Sequence, residues 1–479
     1  MVTSAARFWT FALVLGLAQI AVHARAGFCF PPPWIDEAQF LWQAKAVADT
    51  GTLLAPQLDP GRPILWMPPG WFWATGAAFR VLGFDFALAR ALSLVCLLAA
   101  FALLAGLLRR LPHPVAALLL AGAFFLGRSF VAAGNVARME ALLLLGALGG
   151  FALLRAGRPW TGLALLAATP LVHPNGVWFL LGGAVWLWLE RRRQPGLPRT
   201  SGLDAAAGIA VAAAWLAFAG IAAANPEAFA QGFSHQLARK AGAARLEVLG
   251  DGRLLALAAL LLLAHRLRRE VPDARLLVCL AVPALALHSV GQEYWYEIFE
   301  ELFYLLLSVL AFEAAALWLA WRSALARHRR LALFAVWDAL LLGNLVAHRV
   351  PDPIGFPGGV VWHRMRFSDG EPYLRADERA FVRDFLIGLA PPGELPLVRF
   401  QPAAEALFYA DLDGVEIRVS EPVFHEQLPD WYLLRTSRWR GSGSLERALF
   451  ARAGIDPSDR AHRILERGET ERWYAVKPE

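Results

Sequence analysis

The sequence has little charge and lacks the motifs that mark several familiar classes of protein. Only 18% of its 479 residues are charged, and it holds three cysteines and no CxxC, HExxH or glycine-rich phosphate motif. Soluble globular chains are usually about one quarter charged. Together with 57% hydrophobic residues and a mean hydropathy of +0.44, the low charge excludes a disordered chain and an ordinary soluble enzyme. Cys96 and Cys279 lie inside apolar runs, which argues against a disulfide framework.

Lysine is scarce too, so the basic residues behind the net charge of +6 are almost all arginines. No basic stripe alternates with aromatic residues, so the sequence predicts no nucleic-acid partner. The arginines concentrate in short loops between apolar runs, and such loops face the cytoplasm in membrane proteins. They lie at 109–110, 155–158, 191–193, 266–269 and 322–330.

Long apolar runs dominate the first 349 residues. A helix needs about 17–25 mostly apolar residues to cross a bilayer, and shorter runs fit helices surrounded by other helices. We therefore predict a polytopic α-helical membrane protein with about eleven transmembrane helices and a cytoplasmic N-terminus. The first run also fits a cleavable signal peptide. The runs are 8–24, 87–108, 115–130, 141–154, 160–172, 177–189, 205–224, 254–264, 276–290, 302–321 and 331–347.

Charged residues, prolines and polar turns return near residue 350 and divide the chain into two predicted domains, 1–349 and 350–479. An odd number of spans places the second domain on the extracytoplasmic (periplasmic) side. Its hydrophobic spacing predicts a mixed α/β domain. The helical stretches are 377–389 and 445–453, and the strand-like runs are 395–400, 415–419, 431–434 and 473–476.

The first outward loop, 27–86, holds the residues with the clearest chemistry. Asp36 and Glu37 form an acidic pair just outside the first span. A carboxylate there can accept a proton from an attacking hydroxyl group or bind a cation. Alternatively, Asp36 caps a helix and Gln39 completes a capping box. The stretch 38–49 predicts an amphipathic helix lying along the membrane surface.

The order of features in this loop resembles that of the GT-C superfamily of integral-membrane glycosyltransferases. The order runs from the Asp-Glu-Ala segment through a helix ending at Gly51 and the Pro68-Pro69 pair to Leu82-Gly83 and Arg90. The protein O-mannosyltransferase and aminoarabinose-transferase branch is the most similar. The arginine- and alanine-rich composition suggests a bacterium, so the expected location is the bacterial inner membrane, and the resemblance implies an enzyme there. It would transfer a sugar, with inversion, from a polyprenyl-phosphate donor to a lipid, glycan or protein acceptor on the extracytoplasmic face, in contact with membrane lipids.

The resemblance also implies roles for individual residues. In such families an acid in the first outward loop is the catalytic base or orients the metal or the acceptor, and the match falls on Asp36, with Glu37 beside it. The aminoarabinose-transferase branch carries a lysine, read as a ligand of the donor phosphate, directly before the Pro-Pro pair. This chain has Met67 there, so Arg62 is predicted to replace that cation. Relatives often show an arginine two residues before an acid, which here are Arg138 and Glu140.

Arginine suits a phosphate because it forms bidentate charge-assisted hydrogen bonds. Alternatively, Arg138 and Glu140 are an interfacial anchor whose charged ends reach the water. His173 lies in a His-Pro turn that interrupts an apolar stretch, and Glu293, Tyr294 and Tyr296 form a polar aromatic segment. These four residues and Glu140 are predicted to bind substrate. An interfacial histidine and an aromatic belt are the alternatives.

The sequence defines no cofactor, and a divalent cation held by Asp36 and Glu37 stays an open alternative. Two other functions remain as well. If the protein were a lipid-linked sugar flippase or transporter, we would expect charges near the membrane midplane and internal repeats, and no repeat stands out. If it were a non-catalytic membrane assembly protein, we would expect Asp36→Asn to leave its function intact.

Overall fold

The computed structural model of the protein describes residues 4–26, 35–55, 58, 61–192, 201–243, 253–291, 296–322, 397–401, 418–419, 431–435, 463–467 and 471–476. The described part of the first 322 residues is helical, and the described part of the remainder forms a sheet. The predicted helices 377–389 and 445–453 and the boundary near 350 lie outside the described residues, so the division into two domains stays a prediction.

Fourteen α-helices are found in the described part of the chain up to residue 322. They are α1 (Ser4–Ala26), α2 (Ile35–Thr50), α3 (Gly70–Leu82), α4 (Phe86–Leu108), α5 (Pro114–Phe125), α6 (Arg128–Gly134), α7 (Glu140–Arg155), α8 (Pro159–Val172), α9 (Val177–Arg191), α10 (Gly202–Ala224), α11 (Pro226–Ala243), α12 (Arg253–Leu267), α13 (Ala274–Gly291) and α14 (Glu297–Arg322).

Ten of the eleven predicted apolar runs coincide with helices. Three helices, α1, α4 and α10, are long and apolar enough to cross a membrane unaided, and others are apolar but shorter. The eleventh run, 331–347, lies outside the described residues. An apolar helical bundle is therefore observed among the described residues, whereas the number of about eleven spans stays a prediction.

One predicted span is wrong in its extent. The run 115–130 is divided, because α5 ends at Phe125 and the separate short helix α6 follows. The Gly127 amide hydrogen bonds to the Phe124 carbonyl over 2.7 Å, and a Cβ atom at Gly127 would lie 2.7 Å from that oxygen. The missing side chain therefore permits a sharp turn that the apolar composition of the run did not reveal.

The helices pack closely around one large apolar core. α7 packs mainly against α8 and α4, and α13 against α14 and α9. α7 and α8 approach at two glycines, since a Cβ atom at Gly162 would lie 2.9 Å from the Gly150 carbonyl oxygen. Such contacts between small residues are the usual way that membrane helices associate, because lipid supplies no hydrophobic driving force between them.

Polar contacts at the arginine-rich end join helices that are distant in sequence. Glu313 is fully buried and accepts hydrogen bonds from the His113 backbone amide over 3.0 Å and from its ring over 2.8 Å. Arg155 pairs with Asp273. These contacts bring the predicted cytoplasmic loops to one end of the bundle, and they give Glu313 a structural partner.

Helix α2 departs from its prediction. It begins at Ile35, before Asp36, and Phe40, Leu41, Trp42 and Ala44 are all buried. A helix lying along a membrane surface buries one face, whereas these residues follow no single face. α2 is packed against α3 and the segment 61–69 in a second apolar core.

Two glycines end the helices of this loop. Gly51 follows α2 with φ of 74° and Gly83 follows α3 with φ of 92°, and the amide of each hydrogen bonds back to the preceding turn. Residues with a side chain rarely adopt this region of φ. The helix end predicted at Gly51 is therefore confirmed.

Gly76 on α3 is the site of a first testable prediction. A Cβ atom there would lie 2.7 Å from the Ala44 carbonyl oxygen and 2.8 Å from the Val47 Cβ atom. We expect Gly76→Ala to reduce the free energy of unfolding by about 1–3 kcal/mol, because the α2–α3 contact becomes overpacked. Gly106→Ala in α4 is the control: a Cβ atom there meets nothing within 4 Å, and alanine favours the helix. Thermal unfolding in detergent would contradict the prediction if both variants behaved alike.

The C-terminal region forms a five-stranded mixed sheet. Its strands are β1 (Leu397–Gln401), β2 (Arg418–Val419), β3 (Trp431–Arg435), β4 (Arg463–Arg467) and β5 (Glu471–Val476). The order is β2-β1-β3-β5-β4, with β1 parallel to both neighbours and β5 antiparallel to both of its own. Four strands were predicted from the sequence, and β4 was missed because its residues are mostly charged.

Candidate functional site

The candidate site is built around the connection between α6 and α7, at the end of the bundle opposite the arginine-rich loops. Residues 129–141 are all buried, although the sequence predicts an outward loop at 131–140. A buried loop needs internal partners for its backbone polar groups. Side chains of α2 and α4 supply two of these partners, since Glu37 accepts from the Ala137 amide and the Ser93 hydroxyl donates to the Arg138 carbonyl over 3.5 Å.

Glu37 on α2 is the first of them. Its carboxylate is fully buried and accepts two hydrogen bonds from Arg90 on α4, Nε to Oε1 over 3.0 Å and Nη2 to Oε2 over 2.8 Å. The Ala137 backbone amide donates to Oε1 over 2.7 Å. The guanidinium of Arg90 also lies 4.7 Å from the ring centroid of Phe86. The pair therefore ties α2, α4 and the buried loop together.

Arg138 and Glu140 form a second buried pair. Both are 1% exposed, and the guanidinium Nη2 donates to Glu140 Oε1 over 3.1 Å, with longer bonds from Nε. The guanidinium lies 5.3 Å from the ring centroid of Phe40 on α2. Because neither charged end is exposed, an anchor whose charges reach the water is the weaker interpretation of this pair.

His23 near the end of α1 contacts the same loop. Its Nδ1 atom hydrogen bonds to Asn135 Oδ1 over 2.8 Å, and His23 leaves no room for a side chain at Gly134. Gln19, one turn earlier on α1, is fully buried as well. Three helices, α1, α2 and α4, therefore present buried polar groups to one short segment, which is the arrangement expected of a functional site and not of a lipid-facing loop.

The segment 61–69 lies against this site. Trp66 stacks on Phe40, with ring centroids 5.4 Å apart, and Met67 is 2% exposed within the same apolar core. Arg62 is partly exposed at the start of the segment. Helix α11 packs against the segment 61–69 at Gly232, where a Cβ atom would lie 2.8 Å from the Trp66 backbone nitrogen. Arg62 thus belongs to the segment whose Trp66 stacks on Phe40, the ring that the Arg138 guanidinium also contacts, and its role as a phosphate ligand stays a prediction.

His173 and Tyr296 meet at the same end of the bundle. The His173 Nδ1 atom accepts a hydrogen bond from the Asn175 amide over 3.1 Å, so the Nε2–H group donates to the Tyr296 hydroxyl over 2.9 Å. Both side chains are buried. Nearby in sequence on α14, Glu300 contacts Arg253 Nε and His288 Nε2, over 3.1 Å each. Two predicted substrate residues therefore form one hydrogen-bonded pair.

Tyr296→Phe tests whether this pair supports the fold. The substitution leaves the buried Nε2–H group of His173 without its acceptor, and we expect a loss of about 1–3 kcal/mol in the free energy of unfolding. In a His173→Ala background the same substitution has little left to remove, so the two effects should be strongly non-additive. Additive effects in chemical or thermal unfolding would show that the hydrogen bond contributes nothing.

Several predicted residues cannot be compared with the structure. The backbone of Asp36 lies in the first turn of α2, and its side chain lies outside the described part of the structure. Glu293 and Tyr294 also lie outside the described residues. Their roles stay predictions. Conversely, His23 and Asn135 were missed, and Arg90 was noted only as a landmark of the resemblance. The signal that could have indicated Arg90 is its charge, because it stands near the start of the apolar run 87–108.

The fold is similar to that of solved GT-C transferase structures, so the predicted resemblance is confirmed at the level of the fold. Two of the solved structures that the chain resembles are of ArnT, an aminoarabinose transferase, from Cupriavidus metallidurans. With ArnT bound to undecaprenyl phosphate the TM-score is 0.55 and the sequence identity 15%, over 98% of this chain and 97% of that one. With the apo state the TM-score is 0.53 and the identity 14%, over 98% of both chains. No family model and no curated protein matches the sequence.

Proposed function

We propose that the protein is a membrane glycosyltransferase that moves a sugar from a polyprenyl-phosphate donor to an acceptor hydroxyl group, with inversion, on the extracytoplasmic face. The fold supports this proposal, since the ArnT structure that it resembles is bound to undecaprenyl phosphate. The observation that carries it for this chain is the buried loop of residues 129–141, which is contacted by helix α2 with its acidic pair and holds Arg138 and Glu140.

The chemistry requires few groups. Asp36 accepts the proton of the acceptor hydroxyl as its oxygen attacks the anomeric carbon of the sugar. The bond between that carbon and the phosphate oxygen breaks, and the polyprenyl phosphate leaves. Arg138 and Arg62 neutralise the charge that develops on the leaving phosphate. A positioned base and preorganised cations supply most of the rate enhancement in such a displacement.

Glu37 has a different task in this proposal. Both of its oxygens are occupied, by Arg90 and by the Ala137 amide, and a cationic guanidinium lies beside them. This carboxylate therefore does not fit the role of a ligand for a divalent cation, and the proposed reaction contains no metal-dependent step. Glu37 instead holds the first turn of α2 against the loop, and so positions Asp36, its neighbour in sequence.

Arg138 allows a sharp test of donor binding. Replacing arginine alone would leave Glu140 buried without its partner, so the informative variant is Arg138→Gln combined with Glu140→Gln, which removes both charges. We expect its affinity for undecaprenyl phosphate to fall by about 10- to 100-fold, because charge-assisted hydrogen bonds contribute about 1.5–3 kcal/mol.

Two controls accompany this variant. Glu140→Gln alone keeps the arginine and should bind the lipid phosphate at least as well as the wild type. Arg158→Gln removes an arginine from the opposite end of the bundle and should change nothing. Binding to the purified protein in detergent is the measurement, and an unchanged affinity of the double variant would remove Arg138 from the donor site.

A further inference from the structure

A second site lies at the arginine-rich end of the bundle, far from the buried loop. A groove of about 270 Å³ opens between α9, α12 and α13. Next to it α9 contacts α13 so closely that a Cβ atom at Gly182 would clash with the Cys279 carbonyl oxygen and lie 2.5 Å from the Pro283 ring. The groove is lined by Leu189, Leu261, His265, Arg268, Arg275 and Cys279, with Ala264 and Val278.

The lining divides into two chemical parts. The walls are aliphatic, whereas His265, Arg268 and Arg275 form a basic rim. The acidic residue nearest to Arg275 in sequence is Asp273, and it pairs with Arg155. No ion pair of Arg268 or Arg275 with an acidic side chain is found among the residues that the structure describes. The rim therefore favours an anion, and the walls favour aliphatic chains attached to it.

The surroundings of the groove point in the same direction. Helix α12 exposes leucines along its length, including Leu255 and Leu262, as a lipid-facing helix does. The basic rim lies at the end of the helices that the arginine-rich loops assign to the cytoplasmic side. Basic pockets between transmembrane helices on that side bind the head groups of anionic lipids.

We propose that this groove binds an anionic phospholipid of the cytoplasmic leaflet. Arg268, Arg275 and His265 hold the phosphate of the head group, and an acyl chain lies in the aliphatic groove against α12. The site differs from the proposed donor site in position and in ligand. The bound lipid would contact α9, α12 and α13 together at the arginine-rich end of the bundle.

The test is a titration of the purified, delipidated full-length chain with dioleoylphosphatidylglycerol or dioleoylphosphatidylcholine, with bound lipid counted by native mass spectrometry. Each arginine near an anionic head group contributes about fivefold to affinity, so the wild type should prefer phosphatidylglycerol by about 25-fold. Arg268→Gln combined with Arg275→Gln should abolish the preference, because the affinity for phosphatidylglycerol falls much further than the affinity for the zwitterionic phosphatidylcholine.

The matched control is Arg266→Gln combined with Arg269→Gln, which removes the same charge from the same end of α12 outside the groove and should keep the preference. Equal affinities of the wild type for both lipids, or equal losses in the two double variants, would overturn the proposal. Displacement of phosphatidylglycerol by millimolar inorganic phosphate would identify a free-anion site instead, and masses of a lipid-free dimer would identify a second copy of the chain as the occupant.

A second measurement uses the wild type, in case the double variant fails to fold. Photoactivatable phosphatidylglycerol, with the reactive group on an acyl chain, should label peptides that contain 261–268 or 275–279. Labelling spread evenly over the exposed surface of all helices would contradict a defined site.

Discussion

Asp36→Asn is expected to lower the rate of sugar transfer by about 10²- to 10⁴-fold, the usual contribution of a positioned general base. Asparagine has nearly the same size but cannot accept the proton of the acceptor hydroxyl. The variant should therefore keep its fold and its affinity for the polyprenyl-phosphate donor. The measurement compares loss of donor and gain of glycosylated product in membranes that contain equal amounts of each protein.

Asp49→Asn is the matched control for this prediction. Asp49 lies on the same helix as Asp36, but it is exposed and bonds to Lys45 on the adjacent turn, over 2.6 Å. Its replacement should leave transfer unchanged. If Asp36→Asn transferred sugar at the rate of the wild type and of this control, the acidic pair would not supply the base.

Arg90→Ala is expected to produce the largest loss of stability, about 3–5 kcal/mol in the free energy of unfolding. The substitution leaves the Glu37 carboxylate buried without the guanidinium that compensates its charge, and breaking a buried pair on one side costs about this much. Transfer should fall as well, because the first turn of α2 is no longer held against Ala137. Chemical unfolding in detergent measures the first effect and donor turnover the second.

Two controls show whether the Arg90 effect comes from burial. Lys45→Ala removes the cation of an exposed pair, and exposed pairs usually contribute about 1 kcal/mol or less. Glu37→Gln combined with Arg90→Gln removes both charges and should cost much less stability than Arg90→Ala. If Arg90→Ala and Lys45→Ala were equally mild, the ion pair at Glu37 would not hold the site together.

The helical membrane fold could be predicted because a long run of apolar residues is stable in few arrangements besides a helix that crosses a bilayer. The run 331–347 aside, each predicted span coincides with a helix, and the errors concern where one run is divided. Local chemistry was also readable: Gly51 ends α2 as predicted. The helix itself was predicted, but its position was not, because its apolar residues suit a membrane surface as well as they suit a protein core.

The candidate site could be predicted only in part. The sequence indicated Glu37, Arg138 and Glu140, but not that Arg90 and Ala137 would meet Glu37 across 53 and 100 residues of chain. Nor does the pattern of residues 129–141 reveal that this segment is buried. Such contacts depend on how helices are placed in three dimensions. The sequence shows which residues are polar, but it does not show which distant residue will hydrogen bond to a buried polar group.

Met67 illustrates a departure from the resemblance that the structure explains in part. The aminoarabinose-transferase branch has a lysine before its Pro-Pro pair. Here the position is occupied by a buried side chain in the apolar core of α2, α3 and the segment 61–69. A lysine at this position would place a charge in that core, at considerable cost. The proposal therefore relies on Arg62 and Arg138, and not on residue 67, to bind the donor phosphate.

The fate of a lipid-linked sugar at the end of the bundle near α2 provides the most direct test. Sealed vesicles containing the purified protein would receive a polyprenyl-phosphate sugar labelled in both the sugar and the phosphate, together with candidate acceptors. A glycosyltransferase separates the two labels, releasing polyprenyl phosphate and an acceptor glycosylated with the opposite anomeric configuration. Passage of the intact donor to the other leaflet, with both labels still joined, would instead identify a lipid flippase and contradict the proposed reaction.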